Sequence, residues 1–166
     1  MKQTKLLGFQ YLIFIIPFLL SLFFYFITLN KYVLIGDSGE FITVSYERGV
    51  AHPPGYPLFT IIGHLFSTIH LGNITQRVGA VSAIFGSLTI GLISIIIYKL
   101  TSSKIASFVG SLVLAFSSIF WIYSVNAEVI TLNTLFLTLI FLLALKFTET
   151  KRENILYLLS FVFGLS

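Results

Sequence analysis

The chain contains no cysteine, which excludes disulfides, thiolate nucleophiles and thiolate metal sites. Its three histidines, His52, His64 and His70, are too few and too scattered for a His-rich metal cluster. Charge is equally scarce. Only 10% of the 166 residues are Asp, Glu, Lys or Arg, against roughly 25% in an ordinary soluble domain, so the chain cannot coat a water-facing surface. The ten basic residues give a net charge of +4 but are scattered rather than patched, and nucleic acid is not an expected partner. What is abundant is apolar surface: 57% of the residues are hydrophobic and the mean hydropathy is +0.99. The solvent for most of this polypeptide is lipid, and the expected fold is an all-α polytopic membrane protein.

A helix crosses a bilayer with about 20 mostly apolar residues. Runs of that kind lie at about 6–29, 78–98, 105–123 and 129–147, and another starts near 155 and is still running at 166. A chain that stops inside an apolar helix is expected to be the front part of a longer protein. The first run follows Lys2 and Lys5 but is longer than the roughly 7–15 apolar residues of a signal peptide, and no small-x-small cleavage site follows it. It reads as a retained span. No internal repeat or low-complexity tract is present.

Residues 57–71 are apolar but short, and their placement decides the sidedness of everything after them. If they span, the basic turns at 99–104 and 146–152 fall outside, against the positive-inside rule. If they lie along the interface, Lys2, Lys5, Lys99, Lys104, Lys146, Lys151 and Arg152 fall inside, and only Lys31, Arg48 and Arg77 fall outside. The second arrangement also suits the length, since short apolar stretches more often lie at interfaces. The expected order is an inside N-terminus, one span, a long outer loop at about 30–77, a hairpin of two spans, and a fourth span. This puts Glu128 on the same side as the outer loop.

That loop holds three of the six carboxylates, Asp37, Glu40 and Glu47, and Asp37 is the sole aspartate. In Ile35-Gly36-Asp37-Ser38-Gly39-Glu40-Phe41 the two acids are three residues apart, so on a helix start they share one face. One reading is a solvated turn in which Asp37 or Ser38 caps the helix. The other is a carboxylate held at the membrane surface as general base or metal ligand. Gly36-Asp37-Ser38-Gly39 also matches the tetrapeptide around a trypsin-like nucleophile, but no second aspartate exists to complete that triad. Three prolines and a glycine within 53–57 then rigidify the backbone and would fix His52 and Tyr56 against the acidic turn. Glu128, between two long apolar runs, is costly unless it meets water or a partner, and Trp121 and Tyr123 before it suit an interfacial aromatic belt. Glu149 and Glu153 read as solvated loop acids, and His64 and His70 as interfacial polar residues. Asn73-Ile74-Thr75 fits a glycosylation acceptor pattern, a three-residue match of little weight.

Several segments, taken jointly and in order, carry a family resemblance. They are Ile35 to Phe41, then His52-Pro53-Pro54-Gly55-Tyr56-Pro57-Leu58, then Arg77 entering Val81-Ser82-Ala83-Ile84-Phe85-Gly86-Ser87-Leu88-Thr89. Trp121, Ala127-Glu128-Val129 and Leu132-Asn133 follow. Together they resemble a family of multi-span proteins that includes the animal transmembrane O-mannosyltransferase modifying IPT domains of receptors. More distantly, the pattern is similar to the GT-C superfamily. The resemblance implies a GT-C-like N-terminal transmembrane module with membrane-parallel helices in the first outer loop. It implies a glycosyltransferase that moves mannose or another hexose from a polyprenyl-phosphate donor to an acceptor hydroxyl on a protein or glycan, with inversion. It places such an enzyme in a bacterial plasma membrane or the ER membrane, with its site on the outer or lumenal face. Asp37 matches the catalytic acidic position, Glu40, His52, Tyr56 and Glu128 would position substrate or acceptor, and Asp37, Glu40 and Glu128 are the possible ligands of a divalent ion. The superfamily often has adjacent acids in this loop, whereas here Ser38 and Gly39 intervene. The competing classes are a transporter and a non-catalytic membrane assembly module. Transporters carry ionisable groups near the midplane, and these spans carry almost none.

Overall fold

A computed structural model describes residues 2–34 and 36–165, and among these it contains helices and no strands. The order is α1 (Lys2–Ile27), α2 (Ser38–Glu47), α3 (Pro57–Ser67), α4 (Ile74–Thr101), α5 (Lys104–Ala115), α6 (Ser118–Ser124), α7 (Ile130–Thr150) and α8 (Glu153–Leu165). The all-α membrane architecture expected from composition is what the chain adopts. Among the described residues, α4 and α7 are each long and apolar enough to cross a bilayer, and α5 with α6 makes a third crossing if that bent pair is one span. The N-terminal α1 is 26 residues long, a rise of about 39 Å. By contrast α3, with 11 residues, rises about 16 Å, roughly half the hydrocarbon thickness.

The hub is α4, which packs against α1, α2, α3, α5, α6 and α7. Its small residues make this possible. A methyl at Gly86 would lie 2.5 Å from the Ser124 hydroxyl, and one at Gly91 would lie 2.6 Å from the Phe14 ring. Where lipid removes the hydrophobic drive between helices, such close approach supplies the packing instead. The start of α4 is fixed by a capping box between Asn73 and Gln76. The Asn73 amide also donates to the Lys31 carbonyl at 2.8 Å, tying the segment that follows α1 to α4. Asn73 is thus spent on structure, and Thr75 of its acceptor-like triplet is buried.

Two backbone carbonyls that lose their helical partners are satisfied from neighbouring helices. Pro17 lies inside α1 and has no N–H for the Ile13 carbonyl; the Ser94 hydroxyl of α4 donates to that oxygen at 2.7 Å. The apolar run 105–123 is delivered as two helices bent by 67°. Tyr25, fully buried, donates its hydroxyl to the Ala115 carbonyl at 2.8 Å and meets Trp121 edge-on. In a medium without water each such bond replaces a partner that solvent cannot supply.

The short helices α2 and α3 pack on each other and on the start of α4. Arg77 holds the far end of α3, donating Nη1 to the Ser67 carbonyl and Nη2 to the Gly72 carbonyl. Beneath them lies an apolar core that includes Phe41, Phe59, Val78, Val81, Ala127 and Leu132, which joins the hairpin to the α6–α7 connection.

Candidate functional site

The acidic turn opens on Gly36, whose φ of 113° is a conformation that suits glycine alone. Asp37 occupies the N-cap position of α2, yet its side chain makes no capping hydrogen bond and is exposed. The cap reading for Asp37 is therefore not realised, and the carboxylate is left facing outward. Ser38 does not cap either; its hydroxyl turns back to the Leu34 carbonyl at 3.2 Å.

Glu40 lies one turn on and grips His52 twice. The His52 backbone N–H donates to Oε1 at 2.6 Å, and the ring Nδ1 lies 2.8 Å from Oε2. An ionised carboxylate only accepts, so Nδ1 carries the proton and Nε2 is the ring's other nitrogen. The hydrogen bonds from His52 hold the Glu40 carboxyl below its ordinary value, and the same bond raises the imidazole pKa. Opposite charges on hydrogen-bonded partners stabilise each other in this way.

The proline-rich turn delivers the histidine. Gly55 N–H donates to the His52 carbonyl at 2.8 Å, the Pro53–Pro54 peptide is cis, and Tyr56 has a left-handed backbone with φ 44°. A bulky residue in that region is an outlier held by its surroundings. Here the surroundings are aromatic: Phe41 lies 5.5 Å from Tyr56 and 5.9 Å from His52, and His52 lies 5.5 Å from Tyr56, ring centre to ring centre.

Glu128 approaches from the other side. A methyl at Gly36 would stand 3.7 Å from its Oε1, so the carboxylate borders the acidic turn. Its pKa is raised, first by burial and then by the charge of Asp37. The residue is placed by Ser82 of α4, which is fully buried. The Ser82 hydroxyl donates to the Glu128 carbonyl at 2.9 Å and accepts from the Glu128 N–H at 3.0 Å. Sequence reasoning assigned Ser82 no role; a serine among Val81 and Ala83 in an apolar helix was the available signal.

The structure thus brings Asp37, Glu40, His52 and Tyr56 together on the hairpin, with Glu128 at their border. Among the described residues, Asp37, Glu40 and His52 form a group able to hold an ion, their ligand atoms all within 4.8 Å of one another. Two carboxylates and an imidazole suit a divalent cation of the manganese or zinc type. In the geometry seen, Glu40 and the His52 Nδ1 are engaged with each other.

Residues 37–166 match the family described as the Protein O-mannosyl-transferase TMEM260 N-terminal domain. Curated relatives include Protein O-mannosyl-transferase TMEM260 of Mus musculus, 37% identical over 145 residues that cover 84% of this chain. Another is Protein O-mannosyl-transferase tmem260 of Dictyostelium discoideum, 32% identical over 119 residues, 70% of this chain. The aligned region spans 21% of the mouse protein and 14% of the Dictyostelium protein. No solved structure matches the chain.

Proposed function

The chain belongs to the TMEM260 N-terminal domain family, and on that premise we propose that it carries the acidic half of a membrane glycosyltransferase site. The relatives are named protein O-mannosyltransferases, and the proposed reaction is sugar transfer to a hydroxyl of a protein acceptor. The observation that carries this reading is the convergence of Asp37, Glu40 and His52 within 4.8 Å, with Glu128 beside them. The donor is a sugar on a polyprenyl phosphate, supplied from the bilayer into which these helices are built.

In this mechanism Asp37, as carboxylate, takes the proton from the acceptor hydroxyl while that oxygen attacks the anomeric carbon from the face opposite the phosphate. The new carbon–oxygen bond forms as the bond to the phosphate oxygen breaks, and the polyprenyl phosphate leaves with both electrons of that bond. Configuration inverts. An exposed Asp37 carboxylate free of capping duty is suited to this role, since a base must reach its proton directly. Glu40 fixes His52, and Tyr56 and His52 offer a polar-edged aromatic wall to the sugar or acceptor. Glu128, whose pKa is raised, adds a carboxyl that is more easily kept protonated and able to donate. Asp37, Glu40 and His52 are the residues that would hold a divalent ion, and the Lewis acidity it supplied would ease deprotonation of the acceptor hydroxyl on that same side. The outer or lumenal face is the proposed side, from the seven basic residues assigned inside and three outside.

The test is Asp37→Asn in the complete gene product, assayed in membranes for transfer from a polyprenyl-phosphate sugar. The expected loss is about 10²–10⁴-fold, the contribution of a positioned base. Undiminished transfer would sink the assignment.

A further inference from the structure

Away from the acidic turn, at the opposite end of α2, a groove of about 240 Å³ runs between α2 and α3 and is lined by Val44, Gly49, Thr60, Ile61 and Leu65 together with Arg48 and His64. Ile61 and Leu65 are each 61% exposed, an apolar edge suited to acyl chains. Arg48 is tethered. Its Nε donates to His64 Nε2 at 3.0 Å, and because arginine can only donate, the His64 proton sits on Nδ1, 2.9 Å from the Ser45 carbonyl. The tether uses Nε and leaves the two Nη groups, the fork that matches phosphate oxygens.

Among the described residues, none offers Arg48 a carboxylate within ion-pair distance. The neighbouring Glu47 lines a different groove, with Ile42, Tyr46 and Arg77. Arg48 also has a left-handed backbone with φ 60°, a place where glycine is the usual residue, so the side chain stands there despite a backbone cost.

We propose that this groove seats the head group of an anionic glycerophospholipid, with the phosphate on Arg48 and an acyl chain along Ile61 and Leu65. Bound there, the lipid fixes the α2–α3 hairpin at the bilayer surface. The occupant is a bilayer lipid and not the sugar donor, for a geometric reason. The Arg48 head is tied through His64 to Ser45, eight residues from Asp37 and so about 12 Å along the helix. The donor's reacting carbon is bonded directly to a phosphate oxygen, and a phosphate at Arg48 leaves that carbon far from Asp37. The lipid site itself stands on Arg48, His64 and the groove; only the exclusion of the sugar donor rests on the transferase reading.

The absence of cysteine makes the test clean. Val50→Cys, at a position 84% exposed, is labelled with a fluorophore in the full chain. The chain is placed in phosphatidylcholine nanodiscs doped with quencher-bearing phosphatidylglycerol. Saturable quenching is expected, with half-saturation raised about fivefold by Arg48→Gln and unchanged by Arg152→Gln. His64→Phe, which removes the tether and keeps a ring, shifts it in the same direction and serves if the first variant fails to fold. Coincident titrations for the parent and a folded Arg48→Gln or His64→Phe protein would overturn the proposal. So would a polyprenyl phosphate that displaces the labelled lipid better than unlabelled phosphatidylglycerol does.

Discussion

Glu40 and His52 form the best-defined polar contact of the site, and its behaviour with pH follows from the directions of their shifts. Glu40 has a lowered pKa, so its share of the pairing is present above its ordinary value of 4.5 and is lost as pH falls through its lower folded value. His52 has a raised pKa, so its share is complete below 6.5 and is lost as pH rises through its higher folded value. The pair is strongest between those limits and thins toward alkaline pH. Glu40→Gln removes the charge that holds the imidazolium, and the His52 ring resonances, followed by NMR against pH, should titrate at lower pH than in the parent. A His52 titration that does not move would mean that the two groups are not paired in the membrane. These two residues were legible in the sequence, because an acid one turn into a helix and a histidine before Pro-Pro are both unusual beside a lipid-loving chain. Their proximity was legible as well, since the proline-rich segment is expected to fix His52 against the acidic turn; what was not legible was the atom-by-atom pairing. It depends on how the proline-rich turn folds back, which Gly55 and the left-handed Tyr56 decide locally.

At the scale of elements, the site is assembled from a hairpin, α2–α3, and a hub, α4, and the join between hub and site is Ser82. Removing its hydroxyl leaves the backbone N–H and carbonyl of Glu128 without their partner. Ser82→Ala should therefore cost roughly 1–3 kcal/mol of stability and lower transfer activity together with it. Thermal unfolding in detergent and the membrane transfer assay read the two effects. A stable variant with full activity would show that Glu128 is held by something else. Hydropathy located the long helices, because α4 and α7 are continuous apolar runs. It did not show the bend that divides 105–123 into α5 and α6, since both halves are apolar and the hydroxyl that meets the Ala115 carbonyl at the break comes from Tyr25, some ninety residues earlier. Pro17 frees a carbonyl in α1, and the hydroxyl that meets it, Ser94, comes from another helix and has no local signature.

For the whole molecule, the sidedness argued from the basic residues remains open to direct measurement. Ser102→Cys, in the turn between α4 and α5, should resist a membrane-impermeant thiol reagent applied to intact cells and react after permeabilisation. Ready labelling from outside would invert the arrangement and move the acidic turn to the inner face. The salt bridge from Lys99 to Glu149 at 2.8 Å sits at the same end of the bundle as this turn, so both report one side. The double grip of Glu40 on His52 has a consequence for the way into the site. Glu40 fastens α2 to the proline-rich turn at two points, so Asp37 and His52 keep their spacing, whereas Glu128 is held separately, through Ser82, to α4. On the transferase reading proposed above, the acceptor hydroxyl therefore reaches Asp37 between two separately anchored walls, the Glu40–His52 clasp and the Ser82-held Glu128.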